Sequence, residues 1–270
     1  MTETISASLV KELREQTGAG MMDCKRALQE TDGDLEAAKR LLRERGMASA
    51  GKRAGRATTV GLVGYRIANG VGTMVAVGCE TEPVSNTSEF QAFAKQVLET
   101  VEAGGAEAIE SLDAERTELI ASLGENIAVV GAVRYEPGDG QVLEGYVHPP
   151  ANKLGVLVLL DGGTSELARQ LAMHISFAAP EWKTREEVPA DAIEAERQIY
   201  ANSDEVQSKP EAAREKIVAG MLNKRFFAAS PGGVLADQPW IHDSSKTVGQ
   251  ALQEAGAGVA EFARLSVSGS

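Results

Sequence analysis

Side chains suited to nucleophilic or acid-base chemistry are few: the 270 residues hold three histidines and two cysteines. A thiol nucleophile needs an activating base, and Cys24 with His174 is the pairing to weigh. Cys24 falls inside a short amphipathic segment, where a cysteine reads as a small core hydrophobe. His148 precedes Pro149 at a strand end and His242 lies in loop sequence, neither with an evident partner. Glu80 and Glu82 stand two apart, and in an acidic chain such a pair reads as solvated surface. No GxxxxGK[ST] phosphate loop occurs, and the glycines of GLVGYRIANGVG sit within a hairpin pattern, so they form no dinucleotide-binding fingerprint. Cys24 and Cys79 are far apart and suggest neither a disulfide framework nor a zinc site. The expectation is a protein that is not an enzyme and has no cofactor or metal of its own.

Three features fit binding better than catalysis. Met21 and Met22 are consecutive in the Gly-rich segment TGAGMMDCK, and methionine suits an adaptable interface as well as a core gap. Thr81-Glu82-Pro83-Val84 is a polar turn between a strand and its covering helix; such turns display binding residues on a rigid scaffold or simply connect. His174 follows Leu171 by three and Leu167 by seven, at the edge of an apolar helical stripe, which also suits a packing histidine.

The elements that must position these residues are legible from periodicity. Ile5, Leu9, Val10 and Leu13 recur at helical spacing after Ser6, with Gly18 and Gly20 as the stop. A second helix starts near Met22, and a third follows Asp32-Gly33-Asp34, carries Leu35, Ala38, Leu41 and Leu42 on one face and ends at Gly46. Residues 1–46 then form a three-helix module, and 47–57 form a small, basic linker. Its Lys52, Arg53 and Arg56 are too few, and too poor in aromatic neighbours, for a nucleic-acid patch.

Period two takes over at Val60, Leu62, Tyr65 and Ile67, and Asn69-Gly70 before Met74–Val77 signals a hairpin. A helix with Phe90, Phe93, Ala94, Val97, Leu98 and Val101 in one stripe covers it. The pattern recurs: Gly145-Tyr146-Val147 answers Gly64-Tyr65-Arg66, Leu154–Leu160 answers the second strand, and a helix over Ser165–Ala179 follows. Ile127–Tyr135 is a further strand between the two units. After 189 two helices meet at Lys209-Pro210 in an antiparallel hairpin, with Ile193, Ile199 and Tyr200 facing Ile217, Met221 and Phe226. A short helix over Lys246–Glu254 and a strand over Val259–Val267 close the chain. The fold class is α+β: the module 1–46, a duplicated core of two related subdomains (58–140, then 141–188 with 230–270) and a protruding helical hairpin (189–229).

A net charge of -12 opposes general affinity for nucleic-acid phosphates and favours a protein partner with basic surface. No apolar run reaches the roughly 18 residues a membrane span needs, and Met1–Leu13 lacks the charged and apolar regions of a signal peptide. No membrane partner and a cytoplasmic location are expected.

Taken in order, LVKELREQTGAGMMDCKRAL, GDLEAAKRLLRERG, FQAFAKQV, Leu123-Gly124-Glu125-Asn126, LAMHIS and SKTVGQAL resemble bacterial elongation factor Ts, the guanine-nucleotide exchange factor for elongation factor Tu. The matches run from Leu9 to about Val267. The resemblance implies a ubiquitin-associated-like N-terminal module, elongation factor Tu as partner, and exchange without preference for GTP over GDP. It implies that Met21 and Met22 dock on the partner's nucleotide-binding domain, that Thr81, Glu82, Pro83 and Val84 intrude beside its Mg²⁺ site, and that His174 contacts the same domain. Glu82-Pro83 replaces the family's Asp-Phe, which keeps the acid and loses the ring, although the fixed φ of proline could preorganise the turn. The chain stops after the last core strand, where some relatives add a helical module, so a smaller interface is expected. A homodimer through the hairpin or core remains open, and the alternative is an adaptor that binds through the three-helix module alone.

Overall fold

The computed structural model describes residues 5–53 and 55–268. The outermost parts of the expected first and last units, 1–4 and 269–270, and Ala54 of the expected linker lie outside the described residues.

Three helices open the chain: α1 (Ala7–Thr17), α2 (Met21–Glu30) and α3 (Leu35–Arg53). Ser6 caps α1 by accepting from Leu9 N at 3.2 Å, and Gly18 closes it in the left-handed conformation at φ 67°. Their core is small, with Val10, Leu13, Cys24, Ala27, Leu28 and Ala38 buried together. Gly46 does not end α3, which runs on to Arg53, through much of the expected linker. Space explains the glycine better than termination does: a Cβ at Gly46 would stand 2.5 Å from the Ala121 Cβ of a crossing helix.

That crossing helix is α6, and it belongs to the next unit. Strands β1 (Val60–Ala68) and β2 (Val71–Cys79) form a hairpin through Asn69 and Gly70, both at positive φ as a tight hairpin turn requires. A short helix α4 (Glu82–Ser85) and the long α5 (Ser88–Gly104) follow, the latter capped by Thr87. After a 3₁₀ stretch come α6 (Asp113–Leu123) and β3 (Ala128–Tyr135). β3 does not stand between the two units but pairs with β2, giving the antiparallel order β1-β2-β3.

The second sheet has the order β4-β5-β8, from β4 (Gln141–Val147), β5 (Leu154–Asp161) and the last strand, β8 (Gly258–Ser266). Between β5 and β8 lie α7 (Ser165–Ala178), the helices α8 (Ala190–Ala201), α9 (Asp204–Gln207) and α10 (Glu211–Met221), the short strands β6 (Pro239–Trp240) and β7 (Asp243–Thr247), and α11 (Val248–Glu254). Thr247 and Gln250 form a reciprocal capping box on α11.

The sheets pack face to face. Val63, Met74, Ala76 and Leu157 are buried between them, Phe90, Phe93, Val97 and Val101 bury the outer face of the first under α5, and Leu171, Ala172 and Ile175 bury that of the second under α7. The result is four layers, helix, sheet, sheet, helix, with β5 buried at Gly155–Leu160 because both its faces are covered. The two halves share strand order, but the residue-by-residue match of Tyr65 with Tyr146 does not hold. Tyr65 faces the other sheet, where it lies against Gly145, whereas Tyr146 faces α7. A one-residue slip along a strand reverses the face, and a Cβ at Gly145 would collide with the Tyr65 ring.

The segment after α7 folds α8 and α10 against one another around Val188, Val206, Val218, Met221 and Phe227, with Ile193, Tyr200, Ile217 and Phe226 packed alongside. Ile199 departs from expectation and is exposed. After Met221, α10 continues into a π-helical segment, Leu222–Phe227.

Candidate functional site

The turn at Thr81 is exposed and is braced from a distant part of the chain. Thr81 stands at the N-cap position of α4 without capping it, because its hydroxyl donates instead to the Glu125 carboxylate. Glu125 also accepts from the backbone N–H of Thr81 at 2.9 Å and of Glu80 at 3.1 Å. Glu80 returns the bond by accepting from Asn126 N at 2.7 Å, and the Asn126 amide donates to Arg56 O at 2.7 Å. Glu80 is therefore not the solvated carboxylate its spacing suggests. Two strands of chain, 80–81 and 125–126, are laced together, and charged acceptors make such bonds strong.

What this bracing displays is Thr81, Glu82 and Pro83, all exposed, while Val84 tucks against the core under α5. Pro83 lies in the first turn of α4, where its missing N–H costs nothing and its φ is preset. The carbonyl of Glu82 accepts from Ser85 Oγ and Asn86 Nδ2, both at 2.9 Å. Its carboxylate pairs with Lys153 from the second sheet, and that ammonium holds it below the usual carboxylate range.

Met21 and Met22 begin α2 and are 53% and 64% exposed, which settles the alternative of a core role. The same segment is anchored from beneath: the Ser122 hydroxyl donates to Thr17 O at 2.9 Å, and Arg43 pairs with Glu118. An open cleft of about 790 Å³ lies between Gly18–Gly20 and Ser122–Gly124. Ser122, which holds the methionine segment, and Glu125, which holds the Thr81 turn, are three residues apart, so their Cα atoms lie within roughly 11 Å. Residues 122–125, at and just past the end of α6, thus touch both the segment leading to Met21 and the Thr81 turn.

His174 is not brought to them. It sits on α7, in the opposite outer layer, and is only 1% exposed, as a packing histidine is. Trp240 stacks on the ring at 5.3 Å between centroids. Its Nε2 meets Gln238 Oε1 at 2.9 Å, while the Gln238 amide nitrogen donates to the carbonyls of Ala178, Ala229 and Gly232. Those three acceptors fix the amide orientation, so Oε1 must accept and Nε2 must carry the proton. Ile241 N–H points at Nδ1 at 3.4 Å, which fits the same neutral tautomer. Burial holds the His174 pKa below its ordinary value, and neighbouring His242 adds to the effect. Around this node Met173, Phe177 and Ile241 are exposed, Phe177 by 74%.

Neither cysteine is an activated thiol. Cys24 lies in the N-terminal core, far from any role with buried His174, and burial raises its pKa; burial pushes Cys79 up to about 11. Among the described residues no cluster of three or more His, Cys, Asp or Glu could hold a metal ion, and no helix is long and apolar enough to cross a membrane.

A model of the family described as Elongation factor TS matches residues 80–269. Over 276 aligned residues the chain is 40% identical to elongation factor Ts of Thioalkalivibrio sulfidiphilus and 41% identical to that of Halorhodospira halophila, each covering 98% of this chain and 92% of the relative. Elongation factor Ts of Serratia proteamaculans is 40% identical over 267 residues, covering 97% of this chain and 91% of its own. These matches, over a layered α+β chain with a braced polar turn, define a translation elongation factor that serves protein biosynthesis. More narrowly, the chain belongs to the elongation factor Ts family.

Proposed function

We propose that the chain is a guanine-nucleotide exchange factor, not an enzyme, which binds elongation factor Tu·GDP in the cytoplasm and promotes GDP release. The partner GTPase holds GDP through backbone amides and Mg²⁺, whose charge offsets that of the phosphates. A factor that distorts this site weakens the nucleotide, and linkage makes the nucleotide weaken the factor equally. The carrying observation is the Thr81–Val84 turn, exposed at its tip and laced at its base to Glu125 and Asn126. In this reading Met21 and Met22 dock the N-terminal module, while Thr81, Glu82 and Pro83 press beside the partner's Mg²⁺ site and Val84 anchors them. Pro83 replaces ring insertion by stiffness: a turn whose second helical residue has a preset φ resists being pushed back.

His174 acts through what it holds. Its bonds to Gln238 and Ile241 fix the end of α7 and the β6–β7 turn, leaving Phe177, Met173 and Ile241 to meet the partner. The contacts of Gly46 with Ala121 and of Thr17 with Ser122 favour a module working with the core over an adaptor acting through residues 1–46 alone. Stopped-flow release of fluorescent GDP from elongation factor Tu tests the reading. The chain is expected to accelerate release, and release at the spontaneous rate would sink the proposal.

A further inference from the structure

The ion pair between Glu82 and Lys153 joins residues 71 apart and crosses from the displayed turn to the second sheet. Lys153 ends the loop between β4 and β5, and that loop has little freedom. Its Asn152 takes the left-handed conformation at φ 52°, accepts from Val63 N of the first sheet at 2.7 Å and donates to His148 O at 3.1 Å. Lys153 O accepts from Val267 N at 3.1 Å. The lysine is therefore launched from a backbone tied to β1, to the end of β4 and to the residue after β8. On the other side, one Glu82 oxygen lies 3.4 Å from Ser85 Oγ and the other meets Lys153.

Glu82 remains 56% exposed at its side chain, and a pair so open to water adds little to folding stability. It does restrict direction. A glutamate at an exposed helix start samples several rotamers, and each must be given up on docking.

We propose that Lys153 is a positioning residue for the turn: it holds the Glu82 carboxylate toward the second sheet, so that Glu82 meets the GTPase in one orientation. This role rests on the exchange-factor reading. It makes the β4–β5 loop part of the docking apparatus without itself pressing on the nucleotide site. The lowered pKa of Glu82 agrees with the pairing.

Steady-state GDP release from elongation factor Tu, driven by the full chain, separates the alternatives. Lys153→Met is expected to raise KM about threefold to fivefold with kcat within a factor of about two, as loss of an orienting ion pair implies. Lys153→Arg should recover most of the loss, because it keeps charge and reach. In a Glu82→Gln background, Lys153→Met should add nothing. Equal parameters for Lys153→Met and wild type, or an undiminished loss in the Glu82→Gln background, would overturn the role of Lys153 alone. Failure of the wild-type chain to accelerate release would overturn the exchange reading and this role with it.

Discussion

The Thr81 turn and the His174 node are both fastened by side chains distant in sequence, yet they are built in opposite ways. At the turn the fastening lies behind, half-buried at Glu125 and buried at Asn126, and the residues of interest are exposed: Glu125 and Asn126 grip the backbone, and Thr81, Glu82 and Pro83 face solvent. At the node the residue of interest is itself the fastening, with His174 and Gln238 buried and Phe177 left outside. Substitutions should therefore divide. Changes at the turn should alter exchange with little effect on folding, and changes at the node should alter folding first.

The sharpest break of that contrast is Gln238→Leu. It strands three carbonyls and the His174 N–H at a largely buried site, and a loss of about 3 kcal/mol in urea unfolding is expected. Next comes Gly46→Leu, which forces α3 away from Ala121; overpacking there should cost about 1–3 kcal/mol and loosen hydrogen-exchange protection along α6.

The node should also respond to pH. Burial lowers the pKa of folded His174, so acid protonates the unfolded chain first. Its contribution is complete above the ordinary histidine value of about 6.5 and is lost as pH falls toward the folded value. Urea midpoints of the wild type should fall over that window more than those of His174→Gln; parallel curves would remove the histidine from the account. The smallest effect belongs to Phe177→Ser, where exposure predicts a stability change within about 0.5 kcal/mol by the same urea measurement.

The sequence disclosed the elements whose periodicity is strong and local. The Phe90–Val101 stripe became α5, and Asn69-Gly70 became the hairpin turn. α6 escaped because it is only lightly buried, with Ile120 its one buried residue, so no apolar face announces it. Its loss concealed the junction between the methionine segment and the turn. A polar stretch at a strand-to-helix boundary marked Thr81–Val84 as a display turn or a plain connection, and only the family resemblance gave it a role. Glu125 and Lys153 were not legible as its partners, since bonds across 44 and 71 residues leave no spacing to read. The setting of His174 was only half legible for a related reason. Helical spacing gives its angle on α7 but not its cover, and Gln238 arrives from 64 residues away. Gly46 matched the signal of a helix stop, whereas the contact that requires it lies on another helix.

In the proposed exchange activity, bracing of the exposed turn, rather than the turn's sequence alone, drives release of GDP. Glu125→Ala is the test, because the residue lies behind the displayed turn; loss of its three half-exposed, charge-assisted bonds should lower global stability by about 2 kcal/mol. With folding verified by near-ultraviolet circular dichroism, stopped-flow GDP release from elongation factor Tu should slow about tenfold with this variant, equivalent to roughly 1.4 kcal/mol. A folded Glu125→Ala chain that releases GDP as fast as the wild type would show that the bracing has no part in exchange.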